Sequence, residues 1–333
     1  LIFQVSEFYS GSRNLPKSSF FNWLPSQQSV TKFSEKKKSD LSKGVPMLKT
    51  WKHAVAHSVA STLMLGLVAC GSPEDYESTS ETKVTNGLQA TAGEFPSVVL
   101  LHFSTGGYSS SICTGTFVND AQVVTAAHCV YDVLKAGRSA SSMTFSKVMT
   151  NGSTQRIAAT KLQYHPGYTV VPGKLSKHDL AVVTFPRYSA PATTKFYPNT
   201  PYVGQKFTIV GFGVNDYKYD ASGQQYGTGS GIKRKGQNEI SQVSNGFIQF
   251  HGVHKASDPK VPLGQDSASG SGDSGGPLLI SGALAGVTSG GGLGQARDAN
   301  GNLVTVKVSN YVDVNDSSNQ DFLESALTSS QVL

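Results

Sequence analysis

Long apolar runs, sustained helical periodicity, phosphate-binding loops and zinc-ligand spacings are all missing from this sequence. With three cysteines in 333 residues, there is no paired Cys/His framework for a structural metal. The longest apolar stretch, Ala54 to Ala69, is too short for an ordinary membrane-spanning helix. No period of 3.6 persists until Asn319 to Leu327, where Phe322, Leu323, Ala326 and Leu327 share a face. There is no internal repeat. A net charge of +6 looks like a nucleic-acid signal, but from Val84 onward 18 basic residues face 15 acidic ones. The only basic cluster there, Lys233-Arg234-Lys235, reads as a solvated loop rather than a phosphate site. Neither nucleic acid nor a cofactor or metal is expected.

What is abundant is glycine, at 35 residues, between short runs rich in valine and threonine. That mixture favours an all-β chain with many turns. Strands are expected at Phe95 to Phe103, Thr116 to Val118, Gln122 to Thr125, Arg156 to Leu162, Leu180 to Phe185, Lys206 to Val210, Gly246 to Phe250, Leu278 to Ile280, Leu284 to Thr288 and Val304 to Val308. Many strands in series before one terminal helix indicate β-barrels, not βαβ units. A junction between two halves is expected near Ala190 to Pro201, rich in proline and threonine.

The first quarter of the chain reads differently. Residues 1–46 are polar and aperiodic, either disordered or upstream of the native product, with a short basic arm as the alternative. Met47, Lys49 and Lys52 followed by the apolar stretch have the form of a signal peptide over 47–69. Its end, Leu67-Val68-Ala69-Cys70-Gly71-Ser72, resembles the lipobox of bacterial lipoproteins. That resemblance implies a bacterial protein with Cys70 lipidated and held at a membrane. A plain secretory signal is the alternative. Residues 70–83 are acidic and polar, a solvated tether or propeptide ending at Lys83.

The chemistry gathers around Gly272-Asp273-Ser274-Gly275-Gly276-Pro277. Glycines on both sides of one serine permit a tight bend that exposes the hydroxyl and aims backbone N–H groups into one hollow. A serine oxygen needs a base to take its proton, and the base needs a carboxylate to fix its tautomer. Of eight histidines, His128 stands at a strand end beside a cysteine, and Asp179 heads the apolar run Leu180-Ala181-Val182-Val183.

Thr125-Ala126-Ala127-His128-Cys129, Asp179-Leu180-Ala181 and the serine hexapeptide, in the order His, Asp, Ser, resemble the trypsin/chymotrypsin family of serine endopeptidases. The resemblance covers Val84 to about Leu327. It implies two six-stranded antiparallel barrels with a C-terminal helix, forming a peptidase domain over 84–333. It implies His128 as base and acid, Asp179 as its orienting group, Ser274 as nucleophile, and the N–H groups of Gly272 and Ser274 as the oxyanion hole. It also implies a disulfide between Cys113 and Cys129. Lys83-Val84 resembles the family's activation bond, whose cleavage would free the Val84 amine to pair with Asp273. Thr85 departs from the family's aliphatic second residue. With a lipid on Cys70, that cleavage would also release the enzyme from the membrane to the periplasm or the extracellular space.

Specificity is open at this stage. Ser289-Gly290-Gly291 resembles the strand that pairs with the substrate backbone, so Ser289 and Gly291 are candidate binding residues. Strict spacing puts Ala268 at the pocket floor, which implies small or apolar side chains. Two extra residues would put Asp266 there instead, selecting lysine or arginine. Protein or peptide substrates and protein inhibitors are the expected partners. The competing readings are a catalytically silent binding protein and a structural surface lipoprotein.

Overall fold

The computed structural model describes residues 84–327, apart from 107–108, 150, 215, 221, 223–224, 255–258 and 299. The sequence expectations for 1–46, the signal segment 47–69, Cys70 and Lys83 lie outside the described residues. In chain order the strands are β1 (Leu88–Gln89), β2 (Val98–Gly106), β3 (Ser109–Phe117), β4 (Gln122–Thr125), β5 (Met143–Val148), β6 (Thr154–Ala158), β7 (Lys161–Tyr164) and β8 (Ala181–Thr184). They continue as β9 (Lys206–Gly211), β10 (Asp216–Tyr219), β11 (Gln225–Thr228), β12 (Arg234–Glu239), β13 (Gln242–Ser244), β14 (Phe247–Gly252), β15 (Pro277–Ile280), β16 (Ala283–Arg297) and β17 (Leu303–Asp313). Helix α1 spans Ala127–Lys135 and α2 spans Ser317–Ala326.

Two large antiparallel sheets carry the architecture. The first has seven strands in the order β6-β5-β2-β3-β4-β8-β7, and the second has eight in the order β1-β12-β9-β15-β16-β17-β14-β13. The expected pair of closed six-stranded barrels is therefore corrected: among the described residues neither ladder closes on itself. Short polar strands account for the difference. β1 and β13, two and three residues long, extend the second sheet at its edges, and β6 edges the first. Such short strands lack the alternation that a sequence pattern detects.

Each sheet has its own apolar core. Phe117, Phe145 and Phe185 pack edge-on or tilted at 4.7–5.8 Å between centroids inside the first. Phe207, Phe250 and Tyr311 do the same in the second at 4.6–5.4 Å. A third cluster joins the sheets: Val124 and Val182 from the first meet Val210, Val287 and Val312 from the second, along with Phe322 and Leu323 of α2. Asp316 caps α2, accepting from the Ser318 N–H. Its buried residues are Asn319, Phe322, Leu323 and Ala326, the face expected from the 3.6 period with Asn319 added.

Two other elements differ from the sequence expectation. Helix α1 was not anticipated, because nine residues with one buried stripe are too few for a clear period. The triplet at 233–235 is not a loop: Arg234 lies in β12 and is 1% exposed. Its neighbours in the ladder are Gly211 of β9 and Gln89 of β1.

Candidate active site

The site begins with a helix that cannot cap itself. Helix α1 follows β4 after Ala126, whose methyl offers no cap to the unpaired N–H groups of the first turn. The cap comes from 51 residues away: the His128 N–H donates to Asp179 Oδ1 at 2.8 Å. Strand pairing supplies the reach. β4 and β8 run antiparallel with Thr125 opposite Ala181, so the residue heading β8 arrives beside the start of α1. The Cys113–Cys129 disulfide ties α1 to β3, with Cα atoms 6.5 Å apart. Cys113, Cys129 and His128 present ligand-type atoms within 4.8 Å of one another. Both sulfurs are consumed by the disulfide, so this cluster does not offer thiolates to a metal.

Asp179 is 3% exposed and its carboxylate is fully engaged. Oδ2 accepts from His128 Nδ1 at 2.8 Å and from Ser289 Oγ at 2.6 Å, while Oδ1 takes the His128 backbone. A carboxylate on Nδ1 leaves Nε2 as the basic nitrogen of the neutral ring. Burial pushes the His128 pKa down, but the Asp179 hydrogen bond and the charges of Asp179 and Asp132 outweigh it, so the net shift is upward. The Ser289 hydroxyl is committed to Asp179.

The serine bend lies against the same elements. Gly275 donates to Thr288 O at 2.8 Å, and Thr114 N–H donates to Ser274 O at 2.8 Å. A Cβ on Gly275 would meet Thr125 Oγ1 and Thr114 O inside contact distance, and the Ala126 nitrogen at 2.8 Å. Only glycine lets the bend sit this close to β4, two residues from His128. Among the described residues the Ser274 hydroxyl makes no hydrogen bond to the imidazole. Such bonds are often long before substrate binds.

Two backbone donors beside Ser274 are free among the described residues: the N–H groups of Gly272 and Ser274. Their directions follow from planar peptides. Ser271 O accepts from Val214 N at 2.6 Å, so the Gly272 N–H on the same peptide points the opposite way. Asp273 O accepts from Gly276 N at 2.7 Å, which turns the Ser274 N–H away from Gly276. Gly272 sits at φ +93°, a conformation that L side chains rarely adopt.

Asp273 holds this loop from behind. It is 2% exposed; Oδ1 accepts from Gly213 N and Oδ2 from Gly270 N, each at 2.7 Å. Burial raises its pKa, opposed by those two N–H groups and by the charges of Lys307 and Arg234. Val84 is 2% exposed at φ +65°. Next to it, Thr85 exchanges backbone bonds with Ala268 at 3.0 and 3.2 Å.

The candidate pocket residues separate. Ala268 is fully buried beside Thr85. Asp266 is exposed at φ +44° and lines a surface cleft with Lys206, Gln237, Glu239 and Gln265. The reading that put Asp266 at a desolvated floor is therefore corrected: its carboxylate stands in solvent. One residue escaped the sequence reading. Lys307 on β17 reaches Thr85 Oγ1 with its Nζ at 3.3 Å. The alternation Val304-Thr305-Val306-Lys307-Val308-Ser309 was the available signal, since it puts Lys307 and Ser309 on one face.

Comparisons with known proteins agree with this arrangement. The family model described as Trypsin matches residues 84–314. A rat (Rattus norvegicus) chymotrypsin-like elastase family member 1 is 30% identical over 102 residues, covering 28% of this chain and 35% of that protein. Coagulation factor IX of Cavia porcellus is 33% identical over 101 residues, covering 30% and 33%. The CLIP domain-containing serine protease B15 of Anopheles gambiae is 26% identical over 218 residues, covering 58% and 57%. The chain thus spans between a third and just over half of these relatives. These animal relatives overturn the bacterial lipoprotein reading of 47–70, and with it the lipidated Cys70, the membrane anchor, the periplasmic placement and the release from a membrane on cleavage. The physical reason is the brevity of the lipobox: small and aliphatic residues end any export leader, and one cysteine among them carries little information. The family match spans far more of the chain, from Val84 through Val314, and the chain belongs to the trypsin family of serine endopeptidases.

Proposed function

We propose that the chain hydrolyses peptide bonds through Ser274, His128 and Asp179. His128 Nε2 takes the Ser274 proton as Oγ bonds to the substrate carbonyl carbon. The carbonyl oxygen, now negative, receives the N–H groups of Gly272 and Ser274. The C–N bond then breaks, the leaving amine takes the proton from His128, and water cleaves the resulting ester with His128 again as base. The observation that carries the reading is the three-bond cradle on Asp179, which fixes ring orientation and tautomer beside a serine bend with two unused donors. Ala268, Ser289 and Gly291 are the substrate-facing positions in this reading. The disulfide beside His128 fits an oxidising, extracellular workplace.

Activation by cleavage after Lys83 belongs to the same proposal. Val84 is β-branched, and a positive φ costs such a residue about 1–3 kcal/mol. Cutting the Lys83–Val84 bond abolishes that torsion and leaves an ammonium near the loop that Asp273 supports. Labelling with a serine-directed fluorophosphonate, before and after cleavage at Lys83, tests both parts. The expected adduct is on Ser274, absent in Ser274→Ala, and forms faster after cleavage. No labelling of the cleaved protein refutes the triad and favours a catalytically silent binding protein.

A further inference from the structure

Strand β16 is 15 residues long, and for much of that length it has a neighbour on one side only. β15 pairs with it from Ala283 to Val287, and β17 alone continues to Arg297. In an antiparallel ladder alternate residues turn their N–H and C=O groups to opposite sides. Two bonds at the ends of the β16–β17 ladder fix which residues do so. Val314 N donates to Ala285 O at 3.2 Å, and Asp298 N donates to Asn302 O at 2.9 Å. Counting inward by twos, with the register shift between Thr288 and Gly290, assigns Val287, Gly290, Gly292, Gly294 and Ala296 to bonds with β17. Thr288, Gly291, Leu293, Gln295 and Arg297 therefore face the other edge.

Thr288 uses its outward groups: its N–H donates to Gly276 O at 2.9 Å and its carbonyl accepts from Gly275 N at 2.8 Å. From Gly291 to Arg297, no described backbone group pairs with that edge. Gly291, Gln295 and Arg297 are exposed, and Leu293 is 72% exposed. At about 3.4 Å per residue the open edge runs about 20 Å. Proteins shorten, charge or cover such edges, because an unpaired edge recruits other extended chains. This edge is long, and its one charged residue, Arg297, stands at the far end. It also begins beside the nucleophile, since Gly275, bonded to Thr288, directly follows Ser274. Gly290, Gly292 and Gly294 leave one face of the edge without side chains, and no atom lies within 4 Å of where a Gly292 Cβ would stand. β16 is antiparallel to both its partners. A chain added in that sense, with its scissile carbonyl at Ser274, lays the residues before the cut along Gly291 to Arg297.

We propose that the outer edge of β16, through Leu293, Gln295 and Arg297 as well as Gly291, takes the substrate as an added strand well upstream of the cut. The enzyme then selects long, extended polypeptide segments over short peptides and tight loops, with main-chain bonds supplying the affinity. The inference rests on the triad reading above, and one set of measurements separates the two. The full chain, cleaved at Lys83, is assayed with peptides that share one cleavable bond and carry three, five, seven or nine residues before it. Each added pair of residues is expected to raise kcat/KM about fivefold, the worth of one net hydrogen bond, and the same residues added after the cut to change it less than about twofold. N-methylation along the longest peptide should alternate, with about a fivefold loss at amides that face β16 and little at those between them. Leu293→Pro removes an edge N–H without touching the β17 ladder and should abolish the later steps, whereas Leu293→Ala keeps them. Melting temperatures verify folding, and if Leu293→Pro does not fold, the N-methylated peptides carry the comparison. Rates that level off at three upstream residues, or N-methyl effects without alternation, overturn the inference. So does sedimentation showing a dimer that Leu293→Pro dissociates, which would give the edge to a second copy of the chain. Fluorophosphonate labelling without length dependence leaves the triad standing and removes only the extended edge; loss of labelling removes both.

Discussion

Gly213→Ala is a sensitive probe of the oxyanion arrangement, because the damage can be followed atom by atom. A Cβ on Gly213 would lie 2.6 Å from both the Asp273 nitrogen and Ser271 O, and 2.7 Å from Asp273 Cγ. Ordinary contact begins near 3.4 Å, so the 271–273 backbone must retreat by about 0.8 Å, and no flexible side chain can absorb the shift. Ser271 O and the Gly272 N–H belong to one peptide, so pushing the first swings the second. The Gly213 N–H also donates to Asp273 Oδ1, and that bond stretches as the loop moves. Losing one oxyanion donor costs about a hundred- to a thousandfold in kcat, and overpacking here costs about 1–3 kcal/mol of stability. The assay is kcat on the best peptide after cleavage at Lys83, alongside the fluorophosphonate labelling rate and thermal unfolding. A Gly213→Ala enzyme within about threefold of wild type in kcat would refute the assignment of the Gly272 donor.

Three further outcomes are expected. Since the His128 pKa is raised, the acid limb of the rate profile should have its midpoint above the ordinary imidazole value of about 6.5. The proton-linked stability is then fully present below that value and is lost as pH rises through the raised one. In Asp179→Asn burial, the largest influence on His128, is opposed only by the Asp132 charge, so an NMR titration should find the imidazole shifted down, with kcat lower by about four orders of magnitude. Asp313 is 6% exposed and its pKa is pushed up to about 6 by burial and by Asp316. Its neutral form is thus favoured by the fold, and stability declines as pH rises from about 4 to about 6. Asp313→Asn should raise the melting temperature at pH 8 and change little at pH 4. Replacing Cys113 and Cys129 together by serine should cost on the order of 3 kcal/mol in denaturant unfolding, with a larger proportional loss of activity because α1 carries His128.

How much of this was legible depended on the range of the interaction that defines each residue. His128, Asp179 and Ser274 stood out because each occupies a short local pattern whose neighbours also shape the backbone. The all-β class followed from glycine and valine/threonine usage, and α2 from its own period. Helix α1 escaped because its cap is Asp179, 51 residues away, rather than an adjacent serine or aspartate. Arg234 reads as exposed because Arg-Lys-Gly-Gln-Asn-Glu looks solvated, and only pairing with β9 and β1 buries it. Pairing of Thr85 with Ala268 is what buries Ala268 and leaves Asp266 exposed, and no local pattern encodes that long-range pairing. Asp266 therefore reads as a pocket acid along the chain but stands in solvent once the chain is folded.

The position of Asp179 also ties the assembly of the site to the order in which the chain folds. One side chain finishes the first turn of α1, holds the His128 ring and takes the Ser289 hydroxyl. It arrives there only once β8 has paired with β4. A molecule that has not yet closed this sheet would have neither a finished α1 nor an oriented base. A half-folded chain would therefore be harmless to its neighbours, and activity would appear together with the last long-range pairing of the first sheet.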